Sequence, residues 1–325
     1  MAHYNNKTDG TTIVSDFSSQ VAGRTFLITG PSAGGIGAET ALTLARAHPS
    51  TLLLLGRSLP KIQPIIDEIH TISPSTVTKF IPVSLDSLSS VRSAATAILS
   101  DSSVPKIDVV INNAAIMACP YGLSQDGYEL QFATNHLSHF LLTNLLMPKI
   151  LAAGPGARIV NVSSTGHLLH DVNWESLDFN GGKDYQPFDS YGQAKTANIL
   201  FTVGLNKRLS ARAGGEDIKS FALHPGSIVS GLQKHMTPEI RDDAIARLLA
   251  TGVALPEMKT LQQGCSTTLR AALDLGLQEK EGSVYLSHCQ IVTDPINVKA
   301  YAIDKEKAER LWKLSEEMVG EKFEF

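Results

Sequence analysis

Short apolar runs alternate along this chain with stretches in which apolar residues recur every third or fourth position. Thr25–Thr29 (TFLIT) precedes a glycine-rich turn and a helical pattern over 36–48. The run 51–55 (TLLLL) leads into a helix over 62–70 with Ile62, Ile65, Ile66 and Ile69 on one face. The run 80–83 leads into a helix over 91–99, and 108–111 (DVVI) is followed by a long helical stretch over 129–151. Arg158–Val162, a helix over about 191–210 and a strand over 218–223 continue the series. Apolar runs without polar alternation predict strands buried on both faces, because each face must pack against helices. The expected fold is α/β, a doubly wound, mostly parallel Rossmann sheet with helices on both sides.

Beyond Pro225 the pattern predicts helices over 238–249 and Leu261–Leu273, a last strand over 282–286, and an amphipathic helix over Lys305–Val319. In that helix Ala308, Leu311, Trp312, Met318 and Val319 share a stripe, so it is expected to pack on the domain rather than form its own. The reading is one domain over 21–325, with a polar tail over 1–20 that is frayed over 1–12, and a packed C-terminal helix over 300–325. Residues 236–260, with Met236, Leu248, Leu249 and Leu255, form either a substrate lid or an ordinary packing segment.

The 325 residues are 43% hydrophobic and 18% charged, ordinary globular usage that excludes disordered, collagen-like and coiled-coil classes. Lys and Arg total 28 against 32 Asp and Glu, so no basic excess exists to neutralise a nucleic acid. Cys119, Cys265 and Cys289 are too scattered for a disulfide framework, which points to a reducing, cytoplasmic location. No stretch reaches the roughly 18 to 20 apolar residues of a membrane span. The N-terminus has neither a secretory nor a transit pattern.

Gly30, Ser32, Gly35, Ile36 and Gly37 lie between the first strand and first helix. There backbone amides and a helix N-terminus can receive a pyrophosphate, and a Cβ would hold the backbone off. A plain tight turn is the alternative. At the end of the second strand, where an NAD enzyme presents a carboxylate to the ribose, this chain has Arg57, suited to a 2′-phosphate. NADP(H) is therefore the expected cofactor, with a solvated Arg as the alternative.

Tyr191 and Lys195 stand four residues apart on one helix face, able to meet one ligand. A second Tyr-x-x-x-Lys, at Tyr301 and Lys305, warns that the spacing arises by chance. The first copy differs in lying between the fifth and sixth strands and following a serine pair. A tyrosine of ordinary pKa about 10 must shift by about three units, or about 4 kcal/mol, to exchange protons near neutrality. An ammonium about 4 Å away supplies about 4 kcal/mol at an effective dielectric of 20. Ser164, at the end of RIVNV, could hydrogen-bond a substrate oxygen while Tyr191 passes it a proton.

TGPSAGGIG, INNAA, NHLSHFLLT, RIVNVSS, SYGQAKTANILF and HPGSIVS, in this order over about 20–235, resemble the short-chain dehydrogenase/reductase superfamily. Through NHLSHFLLT, the serine-to-tyrosine spacing and the ending AERLWKLSEEMVG the chain is similar to the retinol-dehydrogenase-like branch, closest in style to fungal members. The resemblance implies that Asn135 holds a proton-relay water, Ser164 stabilises substrate, Tyr191 is the acid/base, and Lys195 lowers its pKa and grips the nicotinamide ribose. It also implies that Asn113 and Ala114 line the adenosine side and that Ile228 and Ser230 receive the carboxamide. Three positions depart from the family pattern: one extra residue in the glycine loop, Ala115 where the motif ends in glycine, and Ser84 where an adenine-binding aspartate is usual, with Asp86 two positions on.

His136 with His139, and His167 with His170, lack a carboxylate to complete a zinc motif, and no metal is expected. Residues 181–189 are read as a pocket wall or a solvent loop. The leading expectation is an NADP-dependent oxidoreductase moving a hydride between nicotinamide and a carbonyl or alcohol of a small molecule. The fungal likeness suggests secondary metabolism. A cofactor-binding protein with a regulatory or non-redox role is the alternative, and monomer and homodimer both stay open.

Overall fold

A computed structural model describes residues 4–212, 217–254 and 257–325, and its centre is the strand Thr25–Thr29 (β1), buried along its whole length. Phe26 and Ile28 join the apolar layer on one face of the sheet, whereas Leu27 joins the layer on the other. The next strand, Thr51–Gly56 (β2), repeats this: Leu52 and Leu54 point one way, Leu53 and Leu55 the other. A run of four leucines is thus the expected text of a strand sandwiched between two helical layers.

The helix Gly10–Asp16 (α1) precedes β1, Ile36–Ala45 (α2) connects β1 to β2, and Leu59–Ile72 (α3) leads to Val77–Pro82 (β3). Leu88–Ser100 (α4) then crosses back to Val109–Asn112 (β4). Short helices Leu130–Phe132 (α5), Ser138–Leu145 (α6) and Met147–Leu151 (α7) precede Arg158–Val162 (β5). Pro187–Ala211 (α8) leads to Lys219–His224 (β6). Pro238–Ala250 (α9), Leu261–Leu273 (α10), Tyr285–Ser287 (β7), Gln290–Ile291 (β8) and Lys305–Val319 (α11) complete the chain.

The strand order is β3-β2-β1-β4-β5-β6-β7-β8, parallel except for β8. The chain winds outward from β1 to β3, then returns past β1 to β4, so a crevice opens beyond the C-terminal ends of β1 and β4, where ligands bind in such sheets. This is the doubly wound single domain expected. β8, of two residues, has no apolar run to announce it.

Two expectations fail. The stretch 129–151 is not one helix: a π-turn spans Ala133–Leu137, and Pro148 restarts the backbone as α7. The N-terminal tail is not frayed from residue 4 onward, because Ile13 and Val14 are buried and Gly10 sits so tightly against α10 that a Cβ would lie 2.4 Å from Cys265 Sγ. Its polar text hid two apolar residues one turn face can use.

The C-terminal helix packs as expected. Trp312 of α11 is buried with ring centroids 5.0 Å from Phe140 and 5.9 Å from Phe201, while Arg208 stacks 3.8 Å from its ring. No described helix is long and apolar enough to cross a membrane.

Candidate functional site

Thr29 ends β1 at the crevice and is the hub of its floor. Its Oγ1 accepts the backbone N–H groups of Asn113 (2.9 Å) and Ala114 (3.0 Å). With two donors accepted, the Thr29 hydroxyl donates to Nε2 of His139 at 2.9 Å, which leaves Nδ1–H of His139 to donate to the Asn135 carbonyl at 3.1 Å. Burial holds the His139 pKa down at about 4, so the ring is neutral as this chain of bonds requires. Sequence reasoning missed Thr29 and His139; the one available signal was the i, i+4 spacing of Asn135 and His139 on a helix.

The glycine loop fits a phosphate. Gly30 has φ +69 and a Cβ there would lie 2.8 Å from Ala114 Cβ, while a Cβ on Gly37 would lie 2.5 Å from Asn113 Nδ2. The Asn113 amide donates to the Thr29 carbonyl at 2.9 Å, stitching the loop to β4. Asn113 and Ala114 therefore shape the loop. The extra residue is absorbed outward: Ser32, Ala33 and Gly34 are exposed, Gly34 takes φ +74, and the Gly35 N–H closes on the Ser32 carbonyl at 3.1 Å. Ile36 then opens α2 without any side-chain cap, so its first amides face the crevice unclaimed, the donor set a pyrophosphate needs.

Arg57 projects from the end of β2, exposed and in no ion pair among the described residues. Ser84, where the family pattern has an aspartate, donates its hydroxyl to Asp86 Oδ1 at 2.5 Å.

The serine pair divides its tasks. Ser163 donates to the Lys195 carbonyl at 2.7 Å and anchors α8, whereas the Ser164 hydroxyl accepts the Gly166 N–H at 3.0 Å beside the Tyr191 phenol, whose pKa it pulls down. The approach is possible because two glycines remove side chains at the contact. A Cβ on Gly166 would lie 2.9 Å from the Tyr191 ring, and one on Gly192 would lie 2.7 Å from the Gly166 carbonyl. Gly192→Ala is therefore expected to push α8 off this loop and lower kcat/KM roughly 10²-fold, the scale of an ångström-sized misplacement, with cofactor affinity nearly intact. Steady-state kinetics beside a nucleotide titration checks this.

Lys195 is buried beside the phenol, its Nζ 5.5 Å from the ring centroid and donating to the Val162 carbonyl at 2.9 Å. The i, i+4 spacing predicts an ammonium that holds the Tyr191 pKa down. In the folded protein burial outweighs it: Tyr191 is pushed up to about 12, with Ser164 pulling the other way, and Lys195 is brought down to about 7. Low dielectric penalises both charged forms, so near neutrality the tyrosine carries its proton and the lysine is poised to exchange one.

Asn135 lies in the π-turn, its Oδ1 accepting the Ile116 N–H at 2.8 Å and its Nδ2 donating to the Ile116 carbonyl at 2.9 Å. Single π-turns inside helices frequently mark functional sites because they release a carbonyl from the ladder.

Ile228 and Ser230 follow β6. Ile228 is buried against Gly264 of α10, close to Ile36. Ser230 caps a short 3-10 turn, Gly231–His235, accepting the Leu232 N–H, with Gln233 completing the capping box. Above Tyr191 stand Met117, Ala118, Phe188 and Ala244, with Leu169, Leu232, Met236 and Ile240 against them. The apolar faces of the expected lid are thus Met236, Ile240 and Ala244, whereas Leu249 is 43% exposed and Leu255 lies outside the described residues. Within 181–189, Phe188 meets Tyr191, and Tyr185 turns away to donate to the Cys119 carbonyl at 2.9 Å.

The second Tyr-x-x-x-Lys is separate from this site. Tyr301 donates its hydroxyl to the His167 carbonyl at 2.6 Å, and Lys305 is exposed. The four histidines are each engaged: His136 with Ser315 (3.0 Å), His139 as above, His167 with the Ser164 carbonyl (2.7 Å) and His170 with the Asp171 carbonyl (2.5 Å).

A family model described as short chain dehydrogenase matches residues 24–241. The chain is 36% identical over 307 residues to the short-chain dehydrogenase/reductase prx1 of Penicillium roqueforti, covering 91% of this chain and 85% of that one. It is 34% identical over 305 residues to retinol dehydrogenase 12 of Mus musculus, covering 94% and 89%. The crystal structure of an uncharacterized protein from Mycobacterium Paratuberculosis matches with a TM-score of 0.68 at 33% identity, over 94% of this chain and 96% of that one.

Proposed function

The chain belongs to the short-chain dehydrogenase family and its retinol-dehydrogenase-like branch, oxidoreductases acting on CH–OH or C=O groups with a nicotinamide cofactor, and from that premise we propose an NADP(H)-dependent reductase of ketones or aldehydes that also runs as an alcohol dehydrogenase. The observation that carries the reading is the meeting of Ser164, Tyr191 and Lys195 beside the crevice whose glycine loop and bare α2 N-terminus suit a pyrophosphate. Gly30, Ser32, Gly35, Ile36 and Gly37 would hold the phosphates, Arg57 the 2′-phosphate, Ser84 with Asp86 the adenine side, and Ile228 and Ser230 the carboxamide end.

The nicotinamide, when bound, supplies or accepts the hydride. The chain manages the proton. Ser164 donates a hydrogen bond to the substrate oxygen, and Tyr191, protonated near neutrality, delivers its proton there in reduction and takes it back in oxidation. Lys195 stabilises the charge the phenol oxygen acquires, and Asn135 positions a water for proton return. Met117, Phe188, Met236, Ile240 and Ala244 present an apolar wall to the substrate body, which favours carbonyl compounds with a hydrophobic group next to the reacting carbon.

The test is loss of NADPH absorbance with a panel of apolar aldehydes and ketones, beside a fluorescence titration of NADPH. Binding without turnover across the panel would favour a non-redox role. For cofactor choice, Arg57→Asp is expected to weaken NADPH binding roughly thirty-fold, about 2 kcal/mol for a lost charged hydrogen bond, and to leave NADH within twofold. Equal losses for both would remove Arg57 from phosphate recognition.

A further inference from the structure

The helix α9 lies over Tyr191 yet is barely attached to the domain. Of its 13 residues only Ala244 is buried, and Ile240 with Ala244 supplies its apolar contact to Met117, Phe188 and Tyr191. Its far end runs into Gly252, at φ +89, around which a Cβ would find nothing closer than 4.0 Å. Among the described residues one polar side-chain contact ties α9 to the rest of the protein: Arg247 pairs with Asp189 in the first turn of α8, two residues before Tyr191. The remaining polar contacts of α9 are internal, including Arg247 with Asp243 at 3.5 Å and Arg241 with Asp242 at 2.9 Å.

We propose that Arg247 and Asp189 form a latch that holds α9 closed over the substrate, making Arg247 a positioning residue that sets substrate affinity while leaving cofactor affinity alone. This rests on the reading of the site above as a carbonyl reductase. Asp189 is held by the first turn of α8, where a helix dipole favours its charge, so it is the fixed half of the pair. Arg247 is the moving half. With side chains 32% and 18% exposed, the pair is screened enough to open and buried enough to count. Since α9 carries two of the apolar residues that face the substrate, opening it lowers the population able to bind, and apparent affinity falls by that fraction.

With NADPH saturating, Arg247→Ala is expected to raise KM for a good carbonyl substrate about five- to tenfold, with kcat equal or higher because closing also slows product release. NADPH affinity stays within twofold, and Arg247→Lys restores KM. Asp189→Asn reproduces the effect, and the double variant is no worse than either single one, because both remove the same contact. Hydrogen–deuterium exchange of 238–250 in the NADPH-bound protein, read without any substrate, should quicken in Arg247→Ala while α8 is unchanged.

Unchanged α9 exchange in Arg247→Ala overturns the latch, as do additive losses in the double variant or a joint fall of NADPH affinity and kcat. If no carbonyl is reduced by the unaltered protein, the proposed reaction fails, and the exchange measurement still decides the latch.

Discussion

Tyr191→Phe is expected to lower kcat/KM for carbonyl reduction by 10² to 10⁴, the usual contribution of a positioned acid/base, whereas Tyr301→Phe should leave it within about twofold of the original, since a neutral hydrogen bond is worth only about 1 kcal/mol. Phenylalanine keeps the ring that packs on Gly166 and Phe188, so the first substitution removes a hydroxyl from Ser164 and little else. Tyr301 spends its hydroxyl on the His167 carbonyl, which also accepts from Thr196 at 3.3 Å. Its loss touches stability, not proton transfer. Steady-state kinetics of the two variants, with NADPH affinity measured in parallel, decides the matter: similar activities would remove Tyr191 from the chemistry.

Lys195→Met should separate function from stability in opposite directions. Activity near neutrality is expected to fall at least 10²-fold, because the phenol then gives up its proton with no cation to offset the charge. The nucleotide-free protein should nonetheless become more stable. Burial brings the Lys195 pKa down to about 7, against about 10.4 in the unfolded chain. Below pH 7 both states hold the proton and the folded state bears the full cost of burying it. Between about 7 and 10.4 the folded protein releases the proton while the unfolded chain keeps it, so stability rises with pH in that window. Methionine fills the same space without charge, and the Val162 carbonyl keeps the Asn198 amide at 3.2 Å. The variant should therefore melt higher at pH 6, by on the order of 2 to 4 kcal/mol or several degrees, with the gap closing toward pH 10. Melting curves across that range, without nucleotide, check it; a variant less stable than the original at pH 6 would mean that the buried ammonium is not a burden on the fold.

The α/β alternation could be read from residue order because it rests on local periodicity. TFLIT and TLLLL cannot be half-exposed strands, and a sheet with both faces covered follows from them. The candidate site was legible where spacing carries it: a glycine loop after a strand, a serine pair ending another, and Tyr191 and Lys195 one turn apart. The exposed place of Arg57 at the end of β2 could be read because it depends on one strand end.

What the tertiary structure alone decided depends on contacts between distant positions. That Ser163 is taken up by the Lys195 carbonyl, 32 residues away, could not be read from the pair itself. The extra loop residue bulges into solvent at Ser32–Gly34, a matter of available space. The π-turn at Ala133–Leu137, the engagement of Thr29 with His139, and the packing of Gly10 on Cys265 have no periodic signature. Charge state was the least legible of all: the sequence puts Lys195 near Tyr191, but burial, a property of the whole fold, moves both groups toward their neutral forms.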